Sequence, residues 1–238
     1  RSVGTATQAV GTLANTGPGT YTYTFKTDIA AISTVPYDAT AITRFGIQTG
    51  NDQVFANGTL DVTPPAQLVG GAGTPATVAP IVTTAACNQC HDRLTVHGRR
   101  IEVAYCVTCH TPQLGTPAGV GNFVTMVHSF HAGAQLGLAY SFAGIIAKEI
   151  TYPQDVRHCT TCHQTATGTE ITAWQTDAAY SACFTCHAPS SHPFPVTAAT
   201  NCKTCHNTSA TDKTNVAIAH AIFAEDQAKN FQYKILSV

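Results

Sequence analysis

Methionine is nearly absent from this chain, with one residue (Met126) in 238, and charge is almost as scarce. Twelve Lys and Arg against thirteen Asp and Glu leave a formal net charge of −1, so no basic field exists for a polyanion such as nucleic acid. Long apolar runs are also missing. The longest mainly apolar stretch, Leu136 to Ala147, falls well short of the ~20 residues that a membrane-spanning helix requires. Residues 1–85 contain neither cysteine nor histidine. The glycine-rich Gly70-Gly71-Ala72-Gly73 does not sit between a strand and a helix, as a dinucleotide-binding loop would. Serines, acids and histidines show no triad spacing that the chain's other motifs leave unexplained. The N-terminus shows no initiator methionine, signal peptide or lipid-attachment cysteine, and the expectation is a mature or trimmed chain.

What the chain does have is concentrated between Cys87 and His206. Cys-x-x-Cys-His occurs there five times, at Cys87–His91, Cys106–His110, Cys159–His163, Cys183–His187 and Cys202–His206, and uses all ten cysteines. Zinc is one reading, because fifteen residues separate Cys90 from Cys106 and Cys186 from Cys202, which suits a four-thiolate site. Zinc makes no demand on the residue after the second cysteine, however. Five histidines there by chance is an event on the order of one in several million. Zinc would also leave Cys159 and Cys162 without partners. A disulfide framework explains none of the histidines, and cysteines this close form strained, reducible bridges. The motif is the attachment site of c-type haem, with two thioethers to the porphyrin and the adjoining imidazole on the iron. Five covalently bound haems are expected, attached through Cys87, Cys90, Cys106, Cys109, Cys159, Cys162, Cys183, Cys186, Cys202 and Cys205. The proximal ligands are His91, His110, His163, His187 and His206.

Six further histidines remain: His97, His128, His131, His158, His192 and His220. Five irons need five more axial donors if none is left open, and one methionine cannot supply them. The count therefore favours bis-histidine ligation throughout, with one histidine to spare. His128 and His131 form an i,i+3 pair that a helix would present on one face. His97 follows His91 by about one and two-thirds helical turns, so it can point toward a neighbouring haem. His158 directly precedes Cys159, and that short tether makes it the expected spare. Irons closed on both faces by imidazole cannot bind a small substrate, and nitrogen ligation favours low potentials. Electron transfer is thus expected rather than catalysis. A pentahaem reductase would require an open iron, often signalled by Cys-x-x-Cys-Lys, which does not occur here. A filament-forming or periplasmic pentahaem carrier remains an alternative, with self-assembly through His158 or the last strand.

Two regions follow from composition. Residues 1–85 read as an antiparallel β domain (partial sandwich or split barrel) and linker. Thr20–Phe25 alternates as a half-buried strand, Ile42–Gln48 and Val54–Val62 are further strands, and Gly50-Asn51-Asp52 and Asn57-Gly58 are turns. Pro64 to Pro80 reads as linker. Residues 86–225 are expected to form a loop-rich, short-helix pentahaem domain, too poor in Leu, Ile and Phe for a conventional core and nucleated by its haems. Residues 226–238 alternate like the start of a further strand. Ten propionates, offset by the ferric irons, bring the holoprotein to roughly −6 when oxidised. Covalent haem attachment, which in bacteria takes place outside the cytoplasm, implies export.

Four segments carry a family resemblance: Cys87 to Arg100, Tyr105 to His110, Val127 to Gly133 and Tyr152 to Cys159. With the closing Phe231 to Val238, they resemble the OmcA/MtrC-type extracellular multihaem cytochromes of metal-reducing bacteria. The likeness spans most of residues 40–238. It implies alternating β and pentahaem domains, bis-histidine haems, and distal ligands at His97, His128, His131, His192 and His220. It also implies a place on the outer-membrane surface or outside the cell, with the periplasm as the alternative. Implied partners are other multihaem cytochromes or a porin–cytochrome conduit, with metal oxides or flavins as acceptors. The chain departs from that family in having five motifs rather than ten, and so corresponds to one β-plus-pentahaem half.

Overall fold

The computed structural model describes residues 11–26, 38, 40–50, 55–63, 74–75, 80–115, 119–163, 172–176, 180–187, 192–197 and 202–222. The chain divides into two compact units, one of Arg1–Val78 with His97–Cys109 and one of Ala79–Val96 with His110–Val238.

The first unit is built from small antiparallel sheets. Strands β1 (Gly11–Gly17) and β2 (Thr20–Phe25) form a hairpin in which Leu13 faces Tyr23. The register shifts between Asn15 and Gly17, and the tight turn is completed by Gly19 at φ +70°. The alternation of β2 predicted a half-buried strand, yet every residue of it is exposed. Period two establishes that one face is apolar, not that anything covers it. The aromatic side chains instead meet each other, with Tyr23 and Phe25 edge to face at 4.9 Å.

Strands β3 (Thr43–Gly50), β4 (Phe55–Thr63) and β5 (Thr74–Pro75) make a three-stranded sheet in that order. Arg44 and Asp61 face each other across it and close a fork of two hydrogen bonds at 2.7 and 2.8 Å. Two sequence expectations are corrected here. Asn57-Gly58 is not a turn but lies inside β4, opposite Gln48 and Ile47. The Asn57 amide is engaged instead by the 99–102 segment: Nδ2 donates to the Arg99 carbonyl at 2.7 Å, and Oδ1 accepts from the amides of Ile101 and Glu102 at 3.2 and 3.1 Å. Tertiary partners thus outcompete the local turn preference. The expected linker also contributes β5, paired through Val62 with Pro75 and Thr63 with Thr74. Asn51 and Asp52 of the expected first turn, the linker apart from Thr74, Pro75 and Pro80, and the strand expected over 226–238 lie outside the described residues.

Helix α2 (Val103–Cys106), the second helix along the chain, packs on β4. Tyr105 lies so close to the sheet that a methyl at Gly46 would meet its ring at 3.0 Å. Arg100 sits over the Tyr105 ring, 5.9 Å from its centre.

Short helices and loops make up the second unit. Helix α1 (Thr84–His91) is capped by Thr83, whose side chain accepts from the Ala86 amide at 3.2 Å. The longest element, α3 (Phe123–Leu136), starts at the cap residue Asn122 and ends on Gly137 in the left-handed conformation. The β6 (Ser141–Phe142) and β7 (Ile145–Ile146) hairpin then leads into a single 3-10 turn, Ala147–Glu149. Gly133 of α3 rests directly on the backbone of Ala147. Helices α4 (Thr160–His163), α5 (Ala173–Thr176), α6 (Tyr180–Cys186) and α7 (Val216–Ala219) follow, with a 3-10 turn at Cys202–Thr204.

Among the described residues, the buried apolar positions are Ala86, Val103, Cys106, Ala132, Ala147 and Ala173, and no large side chain is fully buried. Alanines cannot supply the buried area a fold of this length needs.

Candidate haem sites

Helical turns set up the attachment motifs. Cys87, Cys90 and His91 close α1, Cys162 and His163 close α4, and Cys183 and Cys186 lie on α6. The motif histidine donates its amide to the carbonyl of the first cysteine in three cases: His163 to Cys159 (3.0 Å), His187 to Cys183 (3.0 Å) and His206 to Cys202 (2.8 Å). One turn of helix therefore gathers two thiols and an imidazole on one side, as thioether attachment plus axial ligation requires. No disulfide joins any of the cysteines. Burial raises the thiols of Cys106, Cys162 and Cys183 above their ordinary range and takes Cys159 up to about 11. Among the described residues, no group of three or more His, Cys, Asp or Glu side chains is arranged to hold a metal ion.

Imidazoles, by contrast, meet in pairs. His91 and His131 have ring centres 6.1 Å apart, His128 and His163 6.5 Å, His187 and His220 6.0 Å, and His192 and His206 6.0 Å. Each pair joins one motif histidine to one of the six others. Two imidazoles binding one iron from opposite faces, with metal–nitrogen bonds of roughly 2 Å, put their ring centres about 6 Å apart. A protein that supplies two donors and no third suits a macrocycle that brings four nitrogens of its own. The residues present therefore fit haem.

Hydrogen bonds fix the direction of several rings. Nδ1 donates to a backbone carbonyl in His110 (Gly121, 2.9 Å), His131 (Val127, 2.7 Å), His206 (Thr214, 3.1 Å) and His220 (Val216, 2.7 Å). A carbonyl only accepts, so Nδ1 holds the proton and the lone pair is left on Nε2, the nitrogen that can reach a metal. In His128, His163 and His192, Nδ1 is buried without a hydrogen-bond partner. The carbonyls of Val124 and Ile81 act on His128 and His163 from outside hydrogen-bonding geometry and favour their charged forms only slightly. Burial dominates: it takes His128 down to about 4, with His163 adding to the effect, and it lowers His163 and His187 as well. These rings are held as neutral imidazole, the ligating form.

The two histidines of the ten outside these pairs are His110 and His97. His110 lies in the second unit, flanked edge-on by Phe123 and Phe142. His97 lies in the first, at φ +50°. His158, the expected spare, is engaged away from the pairs: its Nδ1 lies 3.1 Å from Gln154 Oε1. Sequence reasoning missed the carbonyls of Val127 and Val216, although a histidine four residues after a helical carbonyl is a usable signal. It also missed Tyr152, edge-on to His131 at 5.3 Å, and Gln154, for neither of which a sequence signal exists.

Comparison with known proteins points the same way. Residues 79–189 match the family model described as outer membrane cytochrome MtrC/MtrF-like, domains II/IV. The chain is 32% identical, over 53% of its length, to the multiheme cytochrome MtrC of Shewanella baltica (strain OS185), of which it covers 20%. Among solved structures, the outer membrane decaheme cytochrome OmcA matches with a TM-score of 0.61 at 25% identity, over 84% of this chain and 32% of that one. MtrC from Shewanella baltica OS185 matches in fold with a TM-score of 0.56 at 24% identity, over 90% of this chain and 32% of that one. The chain thus spans about a fifth of the curated relative and about a third of each solved structure.

Proposed function

Because this chain belongs to the OmcA/MtrC-type multihaem cytochrome family, we propose that it is an electron-transfer module carrying five bis-histidine c-type haems. The observation that carries this reading is the set of four imidazole pairs at 6.0 to 6.5 Å. Numbering the sites by motif order, His91 and His131 serve the first, His163 and His128 the third, His187 and His220 the fourth, and His206 and His192 the fifth. His110 is the remaining motif histidine, and His97 the remaining candidate distal ligand. The bound haems supply the redox chemistry. The chain fills both axial positions, excludes substrate from the irons and sets the spacing between sites. An enzymatic reading would need an open iron.

Helices α1 and α4, which carry the first and third attachment motifs, pack on each other, which supports placing those two sites side by side. The domain reading proposed with this is β over 1–85, pentahaem over 86–225, and the onset of a further strand over 226–238. Family membership supports metal oxides, flavins or other cytochromes as redox partners, delivery through a porin–cytochrome conduit, and a place on the outer surface. No helix among the described residues is long and apolar enough to cross a membrane.

Intact mass combined with low-temperature EPR tests the reading. Five haems, all low-spin, are expected. Fewer than five, or a high-spin signal amounting to one iron in the unmodified protein, defeats it. In His128→Ala the third iron alone should turn high-spin.

A further inference from the structure

The third site differs from its neighbours in how its ligands are oriented. The His128 and His163 rings are stacked at 26°, whereas the other three pairs cross at 88°, 79° and 78°. Near-parallel axial imidazoles split the iron's two π-type d orbitals and give a rhombic low-spin spectrum. Near-perpendicular ones leave those orbitals almost degenerate and give one highly anisotropic feature at low field. A parallel arrangement has to be held, because the two ligands ride on different helices, α3 and α4.

A hydrogen-bonded strut runs between those helices. On α3, the Gln135 side chain donates through Nε2 to the carbonyls of Gln154 and Tyr152 and accepts through Oε1 from the Val156 amide at 3.2 Å. That ties residues 152–156 to the last turn of α3, one turn beyond His131 and two beyond His128. At the other end, Gln154 Oε1 accepts from Thr161 Oγ1 at 2.8 Å and from His158 Nδ1 at 3.1 Å. Thr161 is buried inside the third attachment motif, two residues before His163. An amide oxygen only accepts, so both donors are fixed in direction, and Gln154 grips α4 and the residue just ahead of Cys159 together.

We infer that Gln135, Gln154 and His158 are positioning residues for the third haem, holding α4 at a set distance and rotation from α3 so that its two axial rings stay near parallel. This assigns the histidine that the ligand count leaves over: His158 braces a site rather than capping an iron. The inference rests on the ligand pairing proposed above.

The test uses the full, haem-loaded chain. Unmodified protein should show one rhombic low-spin component beside the anisotropic ones. In Gln154→Ala, intact mass should still give five haems. Only the rhombic component should shift, and the midpoint potential of that single haem should move with it. Gln154→Glu, which keeps the acceptor, should return both toward their starting values. Gln135→Ala and His158→Ala each remove one arm and should shift the same component by less. If Gln154→Ala sheds haem, these two variants decide the matter, and an unchanged rhombic component in both overturns the inference. So does a change that affects all components alike, since that reports general loosening. A high-spin iron or no rhombic component in the unmodified protein overturns the pairing itself, a failure distinct from unresponsive variants.

Discussion

Gly133→Ala isolates the contact on which two sites depend. A methyl built at Gly133 would lie 2.3 Å from both the carbonyl carbon and the oxygen of Ala147, and 2.6 Å from its side chain. The first two are backbone atoms of the buried Ala147, with no flexible end to swing aside. Helix α3 must therefore move away by about an ångström, and overpacking of this kind costs about 1–3 kcal/mol. For a chain of this size that corresponds to roughly 2–4 °C in melting temperature for each kcal/mol. His131 lies two residues before Gly133 and His128 five, so both proposed distal ligands shift with the helix. Thermal melting followed at the Soret band should register the loss, and EPR should show changes at the first and third irons only. Gly137→Ala is the control. It sits at φ +61° with open space around it, so its cost is backbone strain of about 1 kcal/mol without displacement of the ligands. An unchanged melting temperature in Gly133→Ala, or an EPR response equal to that of Gly137→Ala, would refute the reasoning.

Three further outcomes can be measured. Asn57→Ala removes its hydrogen bonds to the Ile101 and Glu102 amides and the Arg99 carbonyl, at a cost of about 1–3 kcal/mol. Hydrogen exchange at Ile101 and Glu102 should accelerate, while Asn57→Asp, which still accepts both bonds, should protect them. Asp61→Asn breaks the fork to Arg44, worth about 1 kcal/mol at most for a pair this exposed. The Arg44 hydrogen bond holds the Asp61 carboxyl below its ordinary value, so the pair's contribution is full above the unfolded carboxylate pKa and is lost as pH falls through the lower folded one. The melting difference between wild type and Asp61→Asn should accordingly be present at neutral pH and close in strong acid; a gap that persists there counts against the pair. Finally, His220→Ala should turn one iron high-spin, whereas His158→Ala should leave every iron low-spin. Equal spectra for the two variants would defeat the ligand assignment.

The cofactor motif and the number of available axial donors were legible in the sequence because both are local or countable. Cys-x-x-Cys-His is a covalent pattern that one helical turn can satisfy wherever it sits, and eleven histidines against five motifs is arithmetic. The pairing of ligands was not legible. His128 and His131 are near neighbours on α3, yet one faces His163 and the other His91, and only the tertiary placement of α1 and α4 decides which. Asn57-Gly58 carries a strong local turn preference that three hydrogen bonds from residues 99–102 override. The aromatic alternation of β2 gave the strand correctly but not its exposure, since periodicity describes one segment and burial depends on another.

Helix α3 explains why the four sites of the second unit need so little ordinary core. Residues three apart on a helix have Cβ atoms only about 5–6 Å apart, so His128 and His131 tie two sites to one rigid element. The two attachment helices concerned, α1 and α4, pack on each other, and each faces the same 14-residue helix through one histidine pair. A conventional domain would fix such spacing with large interlocking side chains. Here the buried positions along α3 are Ser129, Ala132 and Gly133, small enough to admit a backbone at close range. Small residues therefore define the distances, and the macrocycles provide the volume. It follows that filling these positions with larger side chains should damage site spacing before it damages haem attachment, because attachment depends on local turns and spacing does not.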